Sequence, residues 1–211
     1  MSYGAMIDVN GNPFITPNST PYALYGRYVF SSYQNNTIQQ VSNYISIPPA
    51  YMPMTFVRVS GTSSPTGIQT YLEGDGVRVT GANNGNNPFS VTVYVFAIFP
   101  QVLPSWGMAI WNEAGTLILT NETRVLTDIQ TIGGGGSGGI NINFSSGGSY
   151  AVSPARLGSV IGIGVDIYTS CVYSGGVTKI TAVAAPGGGG SPQGYINNGN
   201  SLTIINTAAY D

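Results

Sequence analysis

Histidine is absent from this chain of 211 residues, and cysteine occurs once, at Cys171. The first absence removes the commonest general base and the commonest metal ligand. Together the two exclude Ser-His-Asp and Cys-His nucleophilic catalysis, argue against a zinc centre and leave no intrachain disulfide. Charge is nearly as scarce, since six Lys and Arg with eight Asp and Glu make up 7% of the residues, against about 25% in an ordinary soluble domain. A net charge of −2 with no Lys/Arg cluster gives no electrostatic footprint for nucleic acid. No apolar run reaches the length of a membrane-spanning helix, and Met1-Ser2-Tyr3-Gly4 does not open a signal peptide. Neither membrane insertion nor signal-directed export is expected. The glycine-rich stretches 133–139 and 186–194 lack the Lys-Ser or Lys-Thr of a phosphate-binding loop, so no nucleotide cofactor is expected.

What is present is 42% apolar residues, 30 Gly, 13 Pro and 14 Tyr. Gly and Pro punctuate short runs rich in Val, Ile, Thr, Tyr and Phe, and no stretch shows a helical apolar period. The fold class expected is all-β, as two tandem small β-sandwich-like domains with Gly-rich loops. Strands are expected over 5–9, 14–16, 23–31, 40–47, 54–59, 69–73, 77–80 and 90–99, then over 108–111, 117–120, 124–132, 140–144, 160–168, 172–173, 179–185 and 202–208. In 90–99 both alternating faces are apolar or aromatic, so this strand should be central and covered on both sides. Within 160–168, Ile161, Ile163, Val165 and Ile167 alternate with Gly162, Gly164 and Asp166 and should face the core. The two glycine-rich stretches are expected as surface loops, or else as glycine packed against another backbone.

The division into two domains rests on a faint internal repeat about 103 residues apart. Tyr3-Gly4-Ala5-Met6-Ile7 recurs as Trp106-Gly107-Met108-Ala109-Ile110, and Gly11-Asn12-Pro13-Phe14-Ile15-Thr16 recurs as Gly115-Thr116-Leu117-Ile118-Leu119-Thr120. Each copy reads as a hairpin: strand, polar turn ending in Gly, strand closing on Thr. Pro100 and Pro104 interrupt any ladder between the copies. The expected domains are 1–103 and 104–211, each with its own core.

The only catalytic option left is a pair of carboxylates. Glu73 and Asp75 are flanked by Gly74 and Gly76 and read as a solvated hairpin tip. Asp166 reads as a hydrogen-bonded structural acid. Asp75 with Asn83, Asn84, Asn86 and Asn87 lacks the spacing of a calcium loop. No catalytic, cofactor-binding or metal-binding residue is assigned, and the chain is read as a non-enzyme. Tyr combines a large apolar face with a polar tip and is enriched in interfaces, so the candidate interface residues are Tyr22, Tyr25, Tyr28, Tyr33, Tyr44 and Tyr51. Half-buried strand aromatics are the alternative reading of the same six.

Trp106-Gly107-Met108-Ala109-Ile110-Trp111-Asn112-Glu113-Ala114-Gly115-Thr116-Leu117, followed by Thr123-Arg124-Val125, resembles the opening of small tail-tip or tail-fibre-associated proteins of tailed bacteriophages. The resemblance covers roughly residues 105–126, and the N-terminal copy departs from it in having no Arg directly after Thr16. It implies a virion structural protein, at the tail tip, on a tail fibre or decorating the exterior. Other virion proteins and copies of the same chain would be its partners. The alternative is a carbohydrate- or receptor-binding adhesin module that uses its Tyr and Asn side chains on a host glycan or receptor. A carboxylate glycosidase is a distant third.

Overall fold

A computed structural model describes residues 20–83, 85–133, 139–199 and 201–211, together with the backbone of two short strands within 7–15. The fold is all-β, with two single-turn 3-10 helices, Pro49–Tyr51 and Gly139–Asn141. The first half contains β1 (Ile7–Val9), β2 (Asn12–Ile15), β3 (Ala23–Ser31), β4 (Tyr33–Asn35), β5 (Ile38–Ser46), β6 (Met54–Ser60), β7 (Gly67–Glu73), β8 (Gly76–Asn83) and β9 (Ser90–Ala97). The second contains β10 (Ala109–Trp111), β11 (Leu117–Thr120), β12 (Gln130–Ile132), β13 (Asn143–Gly147), β14 (Tyr150–Val152), β15 (Arg156–Ile161), β16 (Val165–Ser174), β17 (Val177–Ala184), β18 (Gly194–Asn197) and β19 (Leu202–Asn206).

The repeat seen in the sequence returns in the hydrogen bonding. β1 and β2 form one antiparallel hairpin and β10 and β11 another, with Ile7 opposite Ile15 in the first and Ile110 opposite Leu119 in the second. The repeat makes these positions equivalent, and in both hairpins the register slips at the next residue. Gly4 and Thr16 lie outside the described residues.

The same order of pairing then recurs in each half. In the first, β9 lies antiparallel between β3 and β6, while β8 lies antiparallel between β5 and β7. In the second, β19 lies antiparallel between β12 and β14, while β17 lies antiparallel between β13 and β16. The first half adds β4 beside β5. The second adds β15 and β18 beyond β16.

The expected boundary near residues 100–105 does not divide the sheet or the core. β6 pairs with β14 at Val57 and Val152 and with β16 at Val59 and Val172, so strands from both halves belong to one sheet. Val57, Val59, Val91, Val93 and Val95 of the first half pack in one cluster with Val152, Cys171, Ile180 and Ile204 of the second. Two separately cored units are therefore not what forms. The physical reason is β6, whose central residues are buried along its whole width and need cover from strands of both halves. β9 is central, as its doubly apolar pattern predicts, with every residue from Val91 to Ala97 buried.

The opposite face of the shared sheet carries Phe56, Tyr94, Phe96, Ala151 and Ile205, closed over by Leu126 and Tyr210. Tyr210 meets Phe96 edge-on at 4.9 Å between ring centroids, a preferred aromatic geometry. Each such ring, fully buried, contributes roughly 1.5–3 kcal/mol.

Two further expectations are corrected. The strand expected over 160–168 is two strands, because Gly162 and Gly164 take φ of 92° and 65° and turn the chain between β15 and β16. Ile161 consequently points to solvent while Val160, Val165 and Ile167 are buried. Of the strand expected over 124–132 only β12 forms, since Asp128 is left-handed at φ 56°, although Val125 makes an isolated bridge to Ala23. The stretch 186–194 is a surface loop, as expected, exposed from Gly187 to Gln193; within it a Cβ on Gly188 would stand 2.3 Å from Val165 Cγ2 and 2.8 Å from the Ile163 carbonyl, so glycine at that one position permits close backbone packing. Of the other glycine-rich stretch, 134–138 lie outside the described residues.

Candidate ligand-binding face

The six tyrosines singled out by the sequence do not form one patch. Tyr22 packs with Leu24 on the Phe56 and Tyr94 cluster. Tyr25 and Tyr51 are half-buried around Phe99, at centroid distances of 5.2 and 6.2 Å. Tyr28 stacks with Phe30 at 6.4 Å. Tyr33 and Tyr44 are exposed, and both belong to the β4-β5-β8-β7 sheet.

That sheet separates its faces by strict alternation. Val41, Ile45, Ile68, Val77 and Val79 are buried in the core. The outer face is a lattice fixed by register: Tyr33 opposes Gln40, which opposes Ala82; Ser42 opposes Thr80, which opposes Gln69; Tyr44 opposes Arg78, which opposes Tyr71. A cleft of about 390 Å³ lies over the first two rows, a size usual for small-ligand sites. Its floor holds Gly67, Gly81 and Ala82, and Tyr168 and Pro186 of the second half form the far wall. A Cβ on Gly67 would stand 3.1 Å from Val183 Cγ1 and 3.4 Å from Tyr168 Cβ, so the absent side chain lets this wall close in.

Charge around the cleft is paired. The Tyr168 hydroxyl donates to Asp166 at 2.9 Å, and Asp166 also accepts from Arg156 at 2.6 Å. Burial, with the hydrogen bond to Asp166, pushes the Tyr168 phenol above its ordinary value. On the neighbouring row Arg78 Nε lies 2.5 Å from Glu73, and this hydrogen bond holds the Glu73 carboxyl below its usual range. The Arg78 guanidinium also sits 5.3 Å from the centre of the Tyr44 ring. The Tyr44 hydroxyl donates to Asp75, which raises the phenol's pKa. Glu73 and Asp75 thus cap a hairpin tip, and Asp166 is a structural acid with two partners.

The corresponding face of the second half differs in chemistry. Ser145 opposes Lys179, which opposes Val172, where the first half has Tyr44, Arg78 and Tyr71. A cleft of about 280 Å³ there is lined by Ser145, Ser170, Lys179 and Thr181 and carries no aromatic side chain.

Among the described residues no three His, Cys, Asp or Glu side chains converge on a point that could hold a metal ion, and no helix is long and apolar enough to cross a membrane. Burial pushes the Cys171 thiol up to about 12, far from a reactive thiolate. The sequence reading missed Gln40, Ser42, Gln69, Thr80 and Tyr168 as members of a site. Their alternation was legible, as Gln40-x-Ser42-x-Tyr44 and Gln69-x-Tyr71, but which strands lay side by side was not. No protein-family model, curated protein or solved structure matches the chain.

Proposed function

We propose that this chain is a non-enzymatic structural protein of an assembled particle, namely the virion of a tailed bacteriophage. Its place there is at the tail tip, on a tail fibre or on the exterior, and its partners are copies of itself and other virion proteins. The observation that carries this reading is the concentration of exposed large apolar side chains along the chain from the inter-repeat segment into the second hairpin. Val102 is 86% exposed, Trp106 76%, Leu103 61% and Trp111 52%. Isolated exposed apolar side chains are ordinary, whereas several within ten residues of one segment are what an interaction site supplies. Trp106 and Trp111 belong to the segment that resembles phage tail proteins, and Val102 and Leu103 directly precede it.

The shortage of free charge supports the same reading, because Arg27, Arg58, Arg78 and Arg156 are all held in ion pairs and little is left to keep a lone monomer dispersed. The adhesin alternative is favoured by the aromatic and carboxamide cleft on the first half. Immunogold labelling of purified particles, with light scattering of the isolated chain, tests the structural reading. Labelled particles and a multimer are expected, while a monomer found on no particle would overturn it.

A further inference from the structure

We infer that the cleft over β5, β8 and β7 binds a neutral oligosaccharide, with Tyr33 and Tyr168 as stacking walls and Gln40, Ser42, Gln69 and Thr80 as the hydrogen-bonding floor. The inference deepens the adhesin alternative and is independent of whether the chain belongs to a virion.

Three observations carry it. First, none of the described side chains lining the cleft is charged, and beside it Arg156 is paired with Asp166 and Arg78 with Glu73. An anionic or cationic ligand would find no counter-charge, whereas a polyhydroxylated neutral one needs none. Second, the polar groups are carboxamides and hydroxyls, which donate and accept at once and so match sugar hydroxyls. Tyr33 is 48% exposed, and its hydroxyl accepts from Gln40 Nε2 at 2.8 Å, which fixes the ring beside the floor. Third, Gly67 has no side chain to hold the second half away, a Cβ there standing 3.4 Å from Tyr168 Cβ, so Tyr168 and Tyr33 line one cleft and a pyranose ring would lie between two phenol walls. Aromatic faces supply the apolar contact that a sugar's C–H face requires. The equivalent cleft of the second half has Lys179 and serines and no aromatic wall, so the site is expected in one half only.

The test is an array of neutral and acidic oligosaccharides probed with the full-length chain, followed by titration calorimetry on the glycans retained. Neutral glycans are expected to bind. Tyr33→Ala and Tyr168→Ala should each weaken them at least ten-fold, Gln69→Ala comparably, and Tyr168→Phe, which keeps the ring, much less. Ser145→Ala, on the equivalent face of the second half, should leave affinity unchanged and serves as the control. Circular dichroism and thermal melting of every variant separate lost binding from lost folding. Retention of no neutral glycan, retention of acidic glycans alone, or binding insensitive to Tyr33→Ala and Tyr168→Ala while the fold is intact would overturn the inference. A negative array leaves particle labelling unaffected, so the two readings fail separately.

Discussion

Asp211→Asn is expected to destabilise the protein by about 2 kcal/mol, because the carboxylate is the counter-charge of a buried cation. Arg58 is 8% exposed on β6, where both halves meet. Its Nη1 lies 3.0 Å from Asp211 Oδ2 and also donates to Ser149 and Thr207. Asp211 additionally accepts from Tyr94 at 2.5 Å and Thr207 at 2.9 Å. Removing one partner of a fully buried pair costs about 3–5 kcal/mol, and hydrogen bonds to charged groups are worth about 1.5–3 kcal/mol. The Asp211 side chain is 32% exposed, so water recovers part of the loss and the lower range applies. For a chain of this length about 2 kcal/mol corresponds to a fall in Tm of roughly 4–8 °C. Arg58→Leu removes the buried cation itself, so the double variant should lose less stability than the two single changes together. Burial alone would raise the Asp211 carboxyl, but the hydrogen bonds from Tyr94, Arg58 and Thr207, with the attraction of Arg58, outweigh it and hold the carboxyl below its usual range. A lowered carboxyl contributes stability above its unfolded value, about 3.9, and loses it as pH falls through the folded value. Thermal melts should therefore show wild type and Asp211→Asn separated at pH 7 and converging in acid. A difference under about 0.5 kcal/mol at pH 7, typical of an unremarkable surface position, with strict additivity in the double variant, would refute the argument.

Gly188→Ala should destabilise by about 1–3 kcal/mol, since φ is 92° and the new methyl meets Val165 and Ile163, whereas Gly189→Ala, with nothing within 4 Å, should be near neutral in the same melts. Cys171, 1% exposed with its thiol pushed up to about 12, should not react with a thiol reagent at pH 8 until the protein is unfolded, which titration with and without denaturant checks. Glu73→Gln and Asp75→Asn, at an exposed tip, should change stability by under about 0.5 kcal/mol; a larger loss in denaturant titration would contradict the tip assignment. Either half expressed alone, 1–103 or 104–211, should fail to give a cooperative unfolding transition, because the apolar cluster and the sheet run through both. A two-state melt from one half would show that it cores itself.

The all-β class is legible in the residue pattern, because Gly and Pro set strand lengths and alternation marks half-buried strands. The same pattern located β9 as a central strand, since Val91, Val93 and Val95 alternate with Tyr94 and Phe96 and both sets demand cover. It exposed the duplicated hairpin, whose register and bulge recur as the repeated residues require. It also identified the Glu73-Gly74-Asp75-Gly76 tip, because local turn chemistry suffices there. The features that no local pattern reveals are the non-local ones. That β6 joins strands of both halves depends on how two apolar sheet faces find each other, and neighbouring residues do not encode this. The six tyrosines lie close along the chain, but Tyr22 precedes β3, Tyr25 lies on β3 and Tyr33 on β4, which places them in different surroundings. The cleft draws its walls from Tyr33 and Tyr168, which are brought together by packing of the β4-β5-β8-β7 sheet against β16 and β17, so one-dimensional spacing carries no trace of it.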